Sequence, residues 1–395
     1  MSNWRYQCAA ISVIMMFSCS SVAADRTGVT KDSIKIGIFG PLTSSNTNPS
    51  VWQKLLNGVI AIYRDVNEKG GINGRKLDLV VEDDRCDPAA GAPVIKKLVD
   101  EQKVFALHGA YCSTVALAVK PEVAKHPTLP WMVLGAGSAD ISLPVTPNIF
   151  HPIPTSFTVG DTIVDFALSK PGAKKIGIIV QHPDDGPLSQ YRAALERLKK
   201  LNIEPVEIIH IDRGRTDFTE QVKQFQAKAP DFILGIMYPP EFAAYLRDAY
   251  RLKFRVPTAT VQGTSLDDTD KRLGIPEALK DVYFFYPLND LLTSPKMARY
   301  AQLLKKYYPA DALDTLSYSG MGGALAIVEA LKQSGRDLTR ERFMAELNKL
   351  RNFDPGIQAG PITFTPTDHA GIKSGKMLTL VSSKPIILSK YPGAH

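Results

Sequence analysis

Two short loops carry residues suited to holding a small anion. The first is Gly109-Ala-Tyr-Cys-Ser113-Thr114, which follows the apolar run 104–107 and leads into a helical pattern. A helix start presents free backbone N–H groups and the positive end of the helix dipole, and a serine adds a hydroxyl donor. That combination suits a carboxylate. The second loop, Gly135-Ala-Gly-Ser138-Ala-Asp140, follows the run 131–134. Its small residues let backbone approach a ligand closely. Plain helix capping would also account for Ser113 and Ser138.

Covalent chemistry has no comparable constellation. The seven histidines are scattered, and three stand beside proline (His126-Pro127, His151-Pro152, His182-Pro183). No G-x-S-x-G, H-E-x-x-H or G-x-x-x-x-G-K-[ST] motif is present. Gly135-Ala-Gly137 lacks the third glycine and following helix of a dinucleotide fingerprint. The acids Glu82-Asp83-Asp84 with Asp87 lack the alternate-position spacing of an EF-hand loop, and Asp87-Pro88 reads as a helix cap. A binding protein that is not an enzyme, needing no metal or cofactor, is the expectation.

The elements that position the two loops alternate. The run 33–39 reads as a strand. Trp52, Leu55, Leu56, Val59, Ile60, Tyr63 and Val66 then recur at helical spacing, and Gly70-Gly-Ile-Asn-Gly74 turns the chain. Strand 77–82, a helix from Asp87-Pro88, strand 104–107, a helix near Ser113 and strand 131–134 follow. Strands alternating with helices predict a parallel sheet covered on both faces. The pattern then restarts, with Lys174-Lys-Ile-Gly-Ile-Ile-Val180 echoing Ile34-Lys-Ile-Gly-Ile-Phe39. Helix 187–201, strand 204–211, helix 217–229, strand 232–236, helix 240–252 and strand 282–286 complete a second unit. Three helices (294–308, 315–333, 339–349) and strands at 360–364 and 377–381 close the chain. Two Rossmann-like α/β lobes are thus expected, joined at the proline-rich stretch 151–156.

The chain has 395 residues, 47 Lys+Arg against 40 Asp+Glu, 44% apolar residues and 22% charged. Those values describe a globular protein and exclude a disordered or multi-span membrane chain. Basic residues are interleaved with acids, as in Glu196-Arg197-Leu198-Lys199-Lys200, so no nucleic-acid partner is expected. Arg5, the apolar run 8–17 and the small residues 18–24 read as a secretory signal peptide of residues 1–24. A buried first helix and a lipidated Cys19 are the alternatives. Cys86 and Cys112 remain after cleavage. In an oxidising compartment they read as a disulfide, with two buried thiols as the alternative.

Four segments together resemble the type I periplasmic solute-binding proteins of ABC transporters, in the branched-chain amino acid (leucine/isoleucine/valine) receptor family. They are Ile34-Lys-Ile-Gly-Ile-Phe-Gly-Pro-Leu-Thr43, Asp65-Val-Asn-Glu-Lys-Gly-Gly-Ile-Asn-Gly74, Glu82-Asp-Asp-Arg-Cys-Asp-Pro88 and Gly109-Ala-Tyr-Cys-Ser113. The resemblance covers nearly the whole mature chain. It implies a Cys86–Cys112 disulfide, and a ligand carboxylate held by Ser113, Ala136 and Ser138, with Tyr238 reaching in from the other lobe. It also implies a three-crossover hinge, near 152–156, 284–288 and 353–358. Lobe one would be 25–152 plus 287–353, and lobe two 153–286 plus 354–395. A periplasmic monomer that closes on its ligand and docks on an ABC permease with its ATPase is the implied mode of action.

Three positions depart from the family pattern. Gln262 stands where amino-acid binders usually place a glutamate that pairs with the ligand ammonium. Asp185 stands near the family's second pocket tyrosine, and either faces the ligand or is a solvated loop acid. Trp52 falls where the family puts an aromatic side-chain contact, and either walls the pocket or packs in the core. A retained carboxylate site without an ammonium partner points to a carboxylate lacking an α-amino group, aromatic or other. An amino-acid receptor, a short-amide or urea receptor, and a sensor for a signalling partner are the rival expectations.

Overall fold

The computed structural model describes residues 24–44 and 47–388. The expected signal peptide and Cys19 lie outside the described residues, Ala24 excepted. The chain order is β1 (Ser33–Gly40), α1 (Pro49–Glu68), β2 (Lys76–Asp83), α2 (Pro88–Lys96), β3 (Ala106–Gly109), α3 (Ser113–Ala124), β4 (Trp131–Val133) and β5 (Ile149–Pro154). The second run is α4 (Ser156–Leu168), β6 (Ile176–His182), α5 (Asp185–Lys200), β7 (Glu207–Asp212), α6 (Thr219–Lys228), β8 (Phe232–Ile236), α7 (Pro239–Arg251), β9 (Thr258–Thr260), α8 (Leu266–Leu273) and β10 (Val282–Tyr286). Then come α9 (Ala298–Tyr307), α10 (Thr315–Ser334), α11 (Arg340–Leu347), β11 (Ala370–Ile372), β12 (Lys376–Val381) and β13 (Lys384–Leu388).

Two sheets result, ordered β11-β5-β4-β3-β1-β2 and β13-β12-β10-β9-β8-β6-β7. The first is parallel throughout, and β12 and β13 add antiparallel strands to the second. The order β2-β1-β3-β4-β5 is repeated as β7-β6-β8-β9-β10, so the echoed sequence is an echoed topology. In each copy the order reverses beside the first strand, where ligands of open α/β sheets bind at the carboxyl ends.

Local chemistry explains the element starts. Asn48 caps α1 through its side chain, with Pro49 in the first turn, and Asp87 and Asp184 cap α2 and α5 in the same way. Trp52, Leu55, Leu56, Val59 and Tyr63 of α1 are all buried. Their face packs on α10, so the late helices return to the first sheet. Among the described residues no helix is long and apolar enough to cross a membrane.

Three segments differ from expectation. The stretch read as a proline-rich join contains β5, which is buried along its whole length. Its ladder with β4 involves Ile149 and Phe150, so Pro152 and Pro154 fall beyond it. No regular strand forms at 360–364, which makes a single bridge between Phe353 and Ile362. Residues 354–372, expected with the second lobe, lie with the first sheet. There Ile362 and Phe364 are buried, Phe364 meets Phe150 edge-on at 5.3 Å, and β11 pairs with β5. The chain passes to the second sheet between Ile372 and Lys376, not at 353–358.

Candidate functional site

On the first-sheet side the two sequence-derived loops meet. The Ser138 N–H donates to the Ser113 Oγ at 3.3 Å. Neither serine is a helix cap. Cys112 holds the cap position of α3 and makes no side-chain cap bond, so Ser113 begins a helix whose N-terminus is uncapped. Ser138 precedes a single 3-10 turn and likewise caps nothing, and its buried Oγ has no protein partner among the described residues. The Ser113 Oγ thus already holds the Ser138 N–H and keeps only its own proton to donate, while the Ser138 hydroxyl is unengaged. Ala136 is less free, because its N–H donates to the Ala110 carbonyl at 3.2 Å. Cys86 and Cys112 form a disulfide with their Cα atoms 5.6 Å apart, which ties the start of α3 to the loop after β2.

Trp52 is fully buried, with its ring against Gly40 at the end of β1 and 6.4 Å from the Tyr111 ring. Its indole Nε1 is another buried polar atom without a protein partner. Trp52 therefore packs in the core, next to Tyr111 of the Ser113 loop.

On the second-sheet side Tyr238 follows β8. Its N–H donates to Gln181 Oε1 at 3.0 Å and its hydroxyl donates to Asp184 Oδ1 at 3.3 Å. The phenol passes so near Gly186 that a Cβ there would lie 2.6 Å from the hydroxyl oxygen, which only glycine permits. Gln262 follows β9. Its backbone is clamped by the Gln190 side chain, through bonds of 3.1 and 3.3 Å. Its side chain points across to the other loop, with Oε1 4.0 Å from where a Cβ on Gly137 would sit. That Oε1 is buried and unpartnered among the described residues.

The acid nearest the phenols is Asp184 rather than Asp185. Asp184 receives the Tyr238 hydroxyl and faces the Arg213 guanidinium at 3.5 Å. Burial raises the Tyr111 hydroxyl to about 12, and the Asp184 charge adds to the effect from across the cleft. Tyr238 is pushed up for the same two reasons, so both phenols stay protonated donors at neutral pH. Asp185 is half-buried at the start of α5. Burial raises its pKa, as do Asp184 and Asp140, against Arg192. Arg192 of α5 pairs with Asp140 of the Ser138 loop at 3.3 Å, with both side chains well exposed.

Sequence reading missed Tyr111, Asp184 and Arg213. Tyr111 lay inside the quoted Ser113 motif and Asp184 beside Asp185, but Arg213 carried no motif and joins only because β7 lies beside β6. The acidic run near 82–87 is not a cation site. Asp83 holds the backbone of Leu42 and Thr43, Asp84 accepts from the Cys86 N–H, and Asp87 caps α2. Among the described residues no group of three or more His, Cys, Asp or Glu side chains could hold a metal ion.

Comparison with known proteins identifies the family and the fold. An "Amino acid binding protein" of Pseudomonas aeruginosa is 25% identical over 269 residues, 68% of this chain and 71% of that protein. A solved branched-chain amino acid ABC transporter protein from Thermus thermophilus, with bound valine, has a TM-score of 0.81 at 17% identity, covering 92% of this chain and 97% of that one. The solute-binding protein of an ABC transporter from Rhodopseudomonas palustris, in complex with 3,4-dihydroxy benzoic acid, has a TM-score of 0.74 at 19% identity, covering 92% and 99%. Such relatives are substrate-binding components of transporters, not enzymes. The sequence profile described as "Periplasmic binding protein" matches residues 33–384, and this chain accordingly belongs to that family, as a type I protein of the branched-chain amino acid receptor group.

Proposed function

We propose that this protein is exported to the periplasm by a cleaved signal peptide and captures a small carboxylate that lacks an α-amino group. It then delivers that ligand, as a monomer, to an ABC permease and its ATPase. The carrying observation is Gln262: a buried, neutral amide with a free Oε1 faces the loop that bears the carboxylate donors. A buried ammonium needs a counter-charge, and leaving it without one costs several kcal/mol. Asp184 does not supply one, being already opposed by Arg213. Ser113 and Ser138, by contrast, offer hydroxyls with no capping duty, beside an uncapped helix N-terminus. The fold itself accommodates both chemistries, since one structural neighbour holds valine and another a dihydroxybenzoic acid.

Closure follows from contacts on both sides. Ligand held by the first-sheet serines and by Tyr238 or Gln262 gains its full interaction energy only when the lobes meet, and so favours the closed state. The test is a thermal-shift panel on the mature chain, after partial unfolding and refolding to remove carried-over ligand. Leucine, isoleucine, valine and phenylalanine would be compared with benzoates, phenylpropenoates, short amides and urea. A ligand present at 100 times its dissociation constant adds about 2.7 kcal/mol of stability. Shifts with carboxylates lacking an amino group are expected; shifts confined to amino acids would overturn the reading.

A further inference from the structure

Four polar groups gather at the carboxyl ends of β3, β6, β7 and β8, apart from the serines. Tyr111 follows β3, Asp184 follows β6, Arg213 follows β7 and Tyr238 follows β8. Tyr111 belongs to the Ser113 loop of the first sheet and the other three to the second sheet, so the cluster spans the cleft. The rings also line it. Tyr111 lies over Gly135 and beside Trp52, and Tyr238 lies over Gly186 and Gly263.

The charge balance of the cluster limits what it can hold. Asp184 Oδ1 already accepts from the Gly186 N–H at 3.1 Å and from the Tyr238 hydroxyl, while Oδ2 faces Arg213 at 3.5 Å. Among the described residues Asp184 is the one acid within 4 Å of the Arg213 guanidinium. A second ligand carboxylate would meet Asp184, and a ligand ammonium would meet Arg213, so neither charge is favoured. A neutral group that both donates and accepts fits both partners at once. A hydroxyl can donate to Asp184 Oδ2 and accept from Arg213 or from the Tyr111 hydroxyl.

We propose that Arg213, Asp184 and Tyr111 form a second polar subsite that recognises a hydroxyl group on the ligand, making the preferred ligand a hydroxylated carboxylic acid. This specificity role rests on the carboxylate reading above. Charge-assisted bonds are stronger than neutral ones, and a ligand without the hydroxyl forgoes them.

The test is calorimetric titration of the refolded mature protein with three matched pairs. They are benzoate and 4-hydroxybenzoate, phenylpropanoate and its 4-hydroxy form, and phenylalanine and tyrosine. In each pair that binds, the hydroxylated member should bind at least about tenfold more tightly. Arg213→Met and Tyr111→Phe should bring the affinity ratio within each pair close to one. Asp184→Asn keeps a helix-capping oxygen and should act in the same direction, which separates recognition from folding. Equal affinities within every pair, or variants that weaken both members alike, would overturn the subsite. Binding of the amino-acid pair alone would overturn the Gln262 reading, while its tyrosine-to-phenylalanine ratio would still judge the subsite. Absence of binding by all three pairs would overturn both.

Discussion

Replacing Gln262 with glutamate should exchange one ligand class for another. The Gln262 backbone is held by the Gln190 side chain, so Gln262→Glu exchanges an amide for a carboxylate at this strand end with little change in shape. Its Oε1 lies 4.0 Å from where a Cβ on Gly137 would sit, next to Ser138. Taking a separation of about 5 Å from a ligand carboxylate on the serines and an effective dielectric of about 20, the repulsion is roughly 3 kcal/mol, or about two orders of magnitude in dissociation constant. Carboxylates without an amino group should weaken by that factor. Leucine or phenylalanine should gain, because the ammonium would now meet its counter-charge. The loss should also fade at acid pH, where protonation of the introduced group removes the repulsion. Calorimetry at neutral and acid pH, with benzoate and leucine on both proteins, reads all three effects. Unchanged benzoate affinity in the variant would refute the placement of the ligand carboxylate beside Gln262.

Three further outcomes are expected. Ser113→Ala and Ser138→Ala should each weaken carboxylate binding about 10- to 100-fold; Ser138→Ala should leave the unliganded melting temperature nearly unchanged, whereas Ser113→Ala should lower it because the Ser138 N–H loses its acceptor; equal affinity in titrations would place the carboxylate elsewhere. Removing the disulfide, which spans 26 residues, by Cys86→Ser with Cys112→Ser should cost about 3.5 kcal/mol. Denaturant midpoints check this, and reductant should reproduce the loss in the parent protein. Asp84 is buried, with its pKa raised from 3.8 to about 6, chiefly by burial and secondarily by Asp83, against the Cys86 N–H. The folded state therefore prefers the protonated acid: this contribution is full below about pH 4 and is lost as the pH rises to about 6, roughly 3 kcal/mol in all. Asp84→Asn should raise the melting temperature near neutral pH and flatten this part of the stability profile; an unaltered profile would show that the group ionises freely.

The alternation of β-branched runs with amphipathic helices was enough to read the parallel architecture, because each long element carries its own period. Elements without a period were not legible. Strand β9 is Thr258-Ala-Thr260, three residues with no apolar run, and it forms only because β8 and β10 flank it. Strand β11 is equally short, so the third crossover was misplaced by the length of the 354–372 segment. In the site, Ser113 and Ser138 were visible as hydroxyls in small-residue loops at strand ends. The choice between Asp184 and Asp185 was not, because it depends on helix phase: α5 begins at Asp185, which leaves Asp184 as the cap beside Tyr238. Arg213 could be found only from the pairing of β6 with β7.

The two sides of the cleft do different work, and that bears on how the lobes stay closed. The first-sheet side offers backbone N–H groups and hydroxyls on an uncapped helix start tied down by a disulfide, which on the proposed reading holds one functional group rigidly. The second-sheet side offers side chains from four strand ends, which can be exchanged without rebuilding a helix. The rim ion pair between Arg192 and Asp140 joins the two, but its side chains are each 59% exposed. An exposed pair of this kind contributes about 1 kcal/mol or less and is screened by salt. It cannot by itself hold the lobes together against the freedom of the hinge. On the proposed reading the stabilisation that favours closure comes from the ligand, through contacts to both sides that exist together only in the closed state.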